Sequence, residues 1–408
     1  MLEDYRGIPR EAKYLIYGSF FPSLAFGMLF TDLAYFLTKV QGLPDVFMGT
    51  VIMTMGITMV VASIPIGIIA DRHGRRKVLI VGNIIASLVM VIFAITSEFV
   101  LLLVGAILEG ISESAFSSSM NAVMAEKAGN EKRTAAFSFS FFMSSVAFGL
   151  GGFAIPLVFV FEGIGLSNRE AHVILYLVLS VLSLASTLVL LKVGESKNLH
   201  KARGIGSLLP RKSKGVLIRY IITGSTIAFG AGMVVPLMTR WFDLKYGVSD
   251  TMSGPILGIS SFLLGATALA APALAKRTGV VKSIVITQGL STVFMFAVPF
   301  SPSFLIASGI YIVRSFLMNL SNPLEQSLIM GLVAEDERGA ASGISSALWR
   351  LPNSISTTIG AGLMGAGLLA EPFYLATVLY IASITIFWFA FSKIKLPEEM
   401  NLKADNSK

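Results

Sequence analysis

The chain has 408 residues, 54 % of them hydrophobic and 14 % charged, with a formal charge of +8 and a mean hydropathy of +0.76. Soluble domains carry about a quarter charged residues, so the composition excludes an ordinary water-soluble fold and describes a chain that uses lipid as solvent. With no cysteine and only three scattered histidines, disulfides and thiolate metal sites are excluded and no metal site or other cofactor is expected.

A bilayer core of about 30 Å requires roughly 20 apolar residues per helix. The opening MLEDYRGIPREAKY places acids before any apolar run and has no small-residue cleavage site, so it does not read as a cleaved signal peptide. Apolar runs then follow at 14–38, 46–69, 78–97, 100–124, 134–160 and 170–191. After the polar stretch KVGESKNLHKARGIGSLLPRKSKG come 216–239, 250–273, 282–300, 303–331, 340–366 and 372–392. They predict an all-α integral membrane protein with twelve transmembrane helices in two six-helix bundles. The expected divisions are 1–192, a linker at 193–214, a second bundle at 215–395 and a tail at 396–408. With both termini inside, 26 of the 32 Lys and Arg residues fall in inner segments and 4 in outer ones. That asymmetry predicts cytoplasmic termini in a cell membrane. It spreads the positive charge over short loops, which excludes nucleic acid as the partner.

Ionisable residues within spans are functional candidates by default, because lipid penalises them. Span 1 carries Asp32, which binds a proton or cationic substrate or reaches the outer interface. Between spans 2 and 3 lies GIIADRHGRRK, residues 67–77. Its bases, Arg72, Arg75, Arg76 and Lys77, hold the loop in the anionic interface. Gly67 is expected to allow close helix approach, Gly74 suits a tight turn, and Asp71 can face a helix N-terminus.

Span 4 carries Glu109 and Glu113, one turn apart on one face. Two carboxylates this close in a poorly hydrated cavity resist ionising together, so one is expected to hold a proton; a packing salt bridge is the competing reading. Glu126 and Arg133 follow span 4, and Glu335 and Arg338 follow span 10, as candidate partners for the loop bases. Gly149, Gly151 and Gly152 in span 5 are expected to permit close packing. In span 10, Arg314 and Glu325 lie three turns apart on one face with Asn322 nearby, and Arg314 is a candidate partner for Glu109 or Glu113. Arg350 in span 11, beside Pro352 and Asn353, either binds an anionic substrate or neutralises Asp32 or a glutamate. The histidines lie outside the span cores with no acids clustered around them, which argues against a membrane-embedded enzyme. No phosphate-binding loop of the GxxxxGK[ST] type occurs, so ATP is not the driver.

A shift of 205 residues lays Gly27-Met28 on Gly232-Met233, Asp45 and Gly49 on Asp250 and Gly254, Gly74 on Gly279, and Lys77 on Lys282. Parallel halves imply pseudo-symmetry with a site at mid-depth. GIIADRHGRRK resembles the G-x-x-x-D-[RK]-x-G-[RK]-[RK] signature of the major facilitator superfamily, with a degraded copy, PALAKRTGVVK, at 272–282. The resemblance extends over nearly the whole chain. It implies cavity walls on helices 1, 4, 7 and 10, and a latch in which Asp71 meets the start of helix 11 while the cavity opens outward.

The resemblance to drug–proton antiporters is weaker. Their helix 5 G-P-x-x-G-G element is missing, and Ala106 stands where they carry arginine. The expected activity is alternating-access transport by a monomer in the lipid bilayer, with proton-coupled export of amphipathic or cationic small molecules. Proton-driven uptake of a small metabolite, such as an organic anion or sugar, is the alternative.

Overall fold

The computed structural model describes residues 7–195, 212–334 and 337–392, and among them every regular element is helical. Each apolar run falls on a helix, because only internally satisfied backbone survives in lipid. The helices are α1 (Arg10–Val40), α2 (Asp45–His73), α3 (Arg75–Ile95), α4 (Phe99–Gly129), α5 (Glu131–Gly163), α6 (Asn168–Leu190) and α7 (Lys214–Tyr246). They continue with α9 (Val280–Phe300), α10 (Phe304–Leu332) and α12 (Glu371–Phe391), with α8 (Asp250–Thr278) and α11 (Arg338–Gly365) completing the series. Among the described residues ten are long and apolar enough to cross a membrane; α8 and α11, with 29 and 28 residues, reach about 42 Å at 1.5 Å per residue.

Irregularities have local causes. α1 bends at Ser19, whose hydroxyl donates back to the Leu15 carbonyl at 2.8 Å, a bond that loosens a helical turn. α7 breaks after Gly232 into the 3₁₀ turn Val235–Leu237. α11 runs through Pro352 without a break.

The internal repeat is visible in the backbone. Gly42 and Gly247 have φ of 74° and 65°, and Gly74 and Gly279 have 107° and 86°. Both pairs are 205 residues apart, and among the described residues no other residue type has positive φ. Gly74 ends α2 at φ 107°, ψ 125°, a region open essentially only to glycine. A Cβ there would also lie 2.6 Å from the Glu195 carboxyl carbon. Gly74→Ala is therefore expected to cost about 1–3 kcal/mol, read as a lower midpoint of thermal unfolding in detergent.

The described residues pack as two compact units. One comprises parts of Met1–Ala202, Pro236–Phe262 and Thr357–Ala366; the other comprises parts of Arg203–Val235, Leu263–Ser356 and Gly367–Lys408. The outlying ends of α7, α8 and α11 thus pack with α1–α6. The first unit has a core of Leu15, Ile16, Leu79, Val123, Met124 and Leu190. The second is built on Leu217, Ile284, Leu320, Leu328, Phe387 and Phe391.

Glycines set the closest helix crossings of the first unit. A Cβ on Gly151 would lie 2.3 Å from the Met28 nitrogen, and one on Gly152 would lie 2.7 Å from the Gly254 carbonyl oxygen. Small residues allow such backbone approach in lipid, as expected for the span 5 glycines. Gly67 behaves differently: among the described residues nothing lies within 4 Å of where its Cβ would be, so the expected close approach is not made among them.

Candidate functional site

In the first unit, α1, α3 and α4 enclose a cavity of about 280 Å³ lined by Pro22, Ser23, Phe26, Asn83, Ala86, Glu109, Ser112, Glu113, Phe116 and Ser117. Glu109 is buried and Glu113 half-buried, and both carboxylates reach the same space. Helical spacing puts them there: residues 109, 112, 113, 116 and 117 form one stripe of α4. Ser112 donates to the Gly82 carbonyl at 2.9 Å. Behind it, Asn83 donates to the Ser183 carbonyl at 2.9 Å and to the Thr187 hydroxyl at 2.8 Å, which ties α3 to α6.

At the end of this unit remote from the basic loop, Asp32, His172 and Asp250 come together. All three are fully buried, and one donor atom from each lies within 4.8 Å of the other two, close enough to enclose one small cation. His172 Nε2 is 2.8 Å from Asp250 Oδ2, and its Nδ1 lies 2.7 Å from the Asn168 carbonyl. Tyr176 donates to Asp32 Oδ2 at 3.1 Å. Phe36 stacks on both His172 and Tyr176, with ring centroids 5.6 and 4.7 Å away.

This corrects the reading of the histidines as remote from acids. His172 lies near the start of α6, but α1 and α8 bring carboxylates to it. Asp250 could have been found as the repeat image of Asp45, since each opens its helix. Nothing local marked His172.

Beside this cluster, Arg240 grips Asp45 through Nε at 2.7 Å and Nη2 at 3.1 Å, and Asp243 through Nη1 at 2.6 Å. Thr239 donates to the Thr31 carbonyl at 2.7 Å. These contacts draw the ends of α1, α2 and α7 together.

In the second unit, the buried Arg314 donates to the Tyr380 hydroxyl, and Ser291 donates to its backbone carbonyl at 2.9 Å. Glu325, expected to share a face with Arg314, instead accepts from Gln288 and from Ser321 at 3.3 Å. The two residues therefore sit in separate polar settings. Asn322 is exposed and donates to Asn319 at 3.1 Å. Arg350 is half-buried on α11, and Asn353 donates to the Ala228 carbonyl at 3.4 Å.

The basic loop is organised by a carboxylate that the sequence did not single out. Asp71 accepts from Arg75 Nε at 3.0 Å and Nη2 at 2.8 Å. The Arg76 amide donates to Glu195 at 3.1 Å, and its guanidinium donates to the Leu191 carbonyl at 2.5 Å. Arg72 is exposed. Glu126 lies 3.6 Å from Lys127, which also meets Glu11 at 3.3 Å. Arg133 is exposed after α4. Glu335 and the side chain of Arg338 lie outside the described residues. Trp241 is fully buried, whereas Phe141, Phe142 and Trp349 are exposed.

Twelve long helices, internal repetition and carboxylates inside an apolar bundle define a multi-pass membrane protein of the transporter class. The sequence model of the Major Facilitator Superfamily matches residues 15–357 and 220–406, and the chain belongs to that family. A search of curated proteins finds no match. Among solved structures, the fold is similar to the nucleoside transporter NupG (14 % identity, TM-score 0.75, covering 95 % of this chain and 100 % of that one). It is also similar to a bacterial homologue of the human lysosomal transporter Spinster in an inward-facing, occupied conformation (14 %, 0.74, 94 % and 96 %). A third is the human organic anion transporter MFSD10 (16 %, 0.64, 93 % and 100 %). At these identities the likeness concerns the fold.

Proposed function

We propose that the protein is a proton-coupled exporter of amphipathic, cationic small organic molecules, working as a monomer by alternating access in the cell membrane with both termini cytoplasmic. The observation carrying this reading is the Glu109–Glu113 pair on one wall of the α1–α3–α4 cavity. Two carboxylates sharing a confined site hold one proton between them more readily than they hold two negative charges. A cation entering the same site neutralises the same charge, so proton and cation displace each other, and that competition couples their movements. Phe26 and Phe116 supply ring faces for the apolar body of the cation. The charge asymmetry of the loops supports the orientation, and in it the Asp32–His172–Asp250 end faces outward. The latch role of Asp71, with Glu126, Arg133, Glu335 and Arg338 around it, belongs to the same cycle when the inner side closes.

The test is reconstitution in liposomes with an imposed pH gradient and tetraphenylphosphonium as the probe. Glu113→Gln is expected to lower gradient-driven flux by about tenfold or more, the scale of a lost proton-transfer group. Parent-like flux and pH response in that variant would defeat the coupling assignment. Gradient-driven uptake of a small organic anion, lost on replacing Arg314 or Arg350, would instead support the metabolite symporter.

A further inference from the structure

We propose that Asp32, Asp250 and His172 form a second proton-binding site, separate from the α4 carboxylates, whose occupancy holds the outer end of the first unit closed. The argument begins with hydrogen atoms. His172 Nδ1 lies 2.7 Å from the Asn168 carbonyl, which accepts only, so that nitrogen carries a hydrogen. Nε2 is 2.8 Å from Asp250 Oδ2. A bare imidazole nitrogen facing a bare carboxylate is repulsive, so a proton lies between them. Asp32 takes one hydrogen from Tyr176 through Oδ2. The Oδ1 atoms of Asp32 and Asp250 have no hydrogen-bond partner among the described residues, although both side chains are fully buried.

Charge gives the same answer. With both acids ionised and His172 as imidazolium, the cluster carries one net negative charge out of reach of water. One further proton on the carboxylate pair makes it neutral. The surrounding bases do not serve instead: Arg240 on α7 is taken by Asp45 of α2 and by Asp243, and Lys39 of α1 lies 3.5 Å from Asp243. Among the described residues, the remaining titratable groups around the cluster are the phenols of Tyr35 and Tyr176. Closing this end therefore takes up protons, because burial removes the water that would otherwise solvate the anions. Parting the ends of α1, α6 and α8 readmits water and releases protons to the outer solution. Acid outside favours the closed form and alkali favours the open one.

The natural chain contains no cysteine, so a single Ser253→Cys reporter needs no background substitutions. Ser253 is buried one turn into α8. The measurement is labelling by a membrane-impermeant maleimide from pH 5 to 8. Rates are corrected for thiol ionisation with Ile164→Cys, an exposed position on the turn before α6. The expected result is a roughly tenfold rise in corrected labelling from pH 5 to 8. Asp32→Asn leaves an Asp250–His172 pair that still binds the proton between Nε2 and Oδ2 but not the further one, so the rise in labelling becomes shallower than in the parent. Asp250→Asn serves as the second variant if Asp32→Asn is not monodisperse, and it too makes the profile shallower.

The proposal rests on the alternating-access reading but not on Glu113. Glu113→Gln should keep the labelling profile even where it abolishes coupled flux, so the two readings fail separately. A flat profile in the parent, or an unchanged slope in both aspartate variants, overturns the proposal. Protection at fixed pH by Mn2+ or Zn2+ that depends on Asp32 also overturns it, in favour of a metal site.

Discussion

Gly152→Leu is expected to abolish transport in a protein that still inserts and purifies as the parent does. The Gly152 Cβ position is 2.7 Å from the Gly254 carbonyl oxygen and 3.1 Å from the Gly258 Cα, and that of Gly149 is 3.0 Å from the Gly258 carbonyl oxygen. α5 and α8 thus meet backbone to backbone, and no rotamer change makes room for a side chain there. In lipid such packing supplies much of the attraction between helices. A leucine wedge costs about 1–3 kcal/mol of overpacking, a factor of up to roughly a hundred in the population of the closed arrangement. The cost falls on one state of the cycle, while each helix remains folded by its own hydrogen bonds. The measurements are flux in liposomes and labelling at Ser253→Cys, the first falling and the second rising; Gly152→Ala should show a smaller form of both. Parent-like flux would mean that this crossing is not part of the working cycle.

Arg240→Ala is expected to have the largest effect on stability. Arg240, Asp45 and Asp243 have side chains only 12 %, 14 % and 7 % exposed, and the guanidinium contacts both acids at once. Removing it strips Asp45 of the guanidinium and leaves Asp243 to the exposed Lys39, a loss of about 3–5 kcal/mol for a buried pair, toward the lower figure here because some water reaches the group and Lys39 remains. Lysine should recover less than half of the loss, since it keeps the charge but not the two-pronged geometry. Thermal unfolding in detergent reads the loss. Asp45→Asn added to Arg240→Ala should cost less than the sum of the two single changes, because the second substitution removes the charge that the first left stranded. Full additivity would show that the contact contributes little.

The spans were legible because each is long and the physics is local. A 20-residue apolar run has one stable form in lipid. The Glu109–Glu113 pair was legible for the same reason: a spacing of four residues sets a shared face whatever the rest of the fold does. Gly74 and its image Gly279 could be read because the required φ is a property of a single residue.

Other features were hidden by distance along the chain. Asp32 and Asp250 are each single acids near a helix end, and His172 lies between them in sequence without resembling either a ligand or a relay. Arg314 and Glu325 share a helix, and periodicity suggested a common role. Their partners, Tyr380 and Gln288, come from neighbouring helices that periodicity cannot specify. Glu195 belongs to a stretch that composition marked only as the start of a polar linker, yet it receives the Arg76 amide.

By itself, the amino-acid order determined the helical membrane class, the number and placement of the spans, the repeat, and the carboxylate stripe of α4. These follow from hydropathy, helical period and backbone stereochemistry, which act over one helix or less. Tertiary structure alone decided which lone ionisable groups become partners and where glycines bring backbones together. A buried charge takes its counterpart from whichever helix packs beside it, and that neighbour is chosen by the shape of the whole bundle.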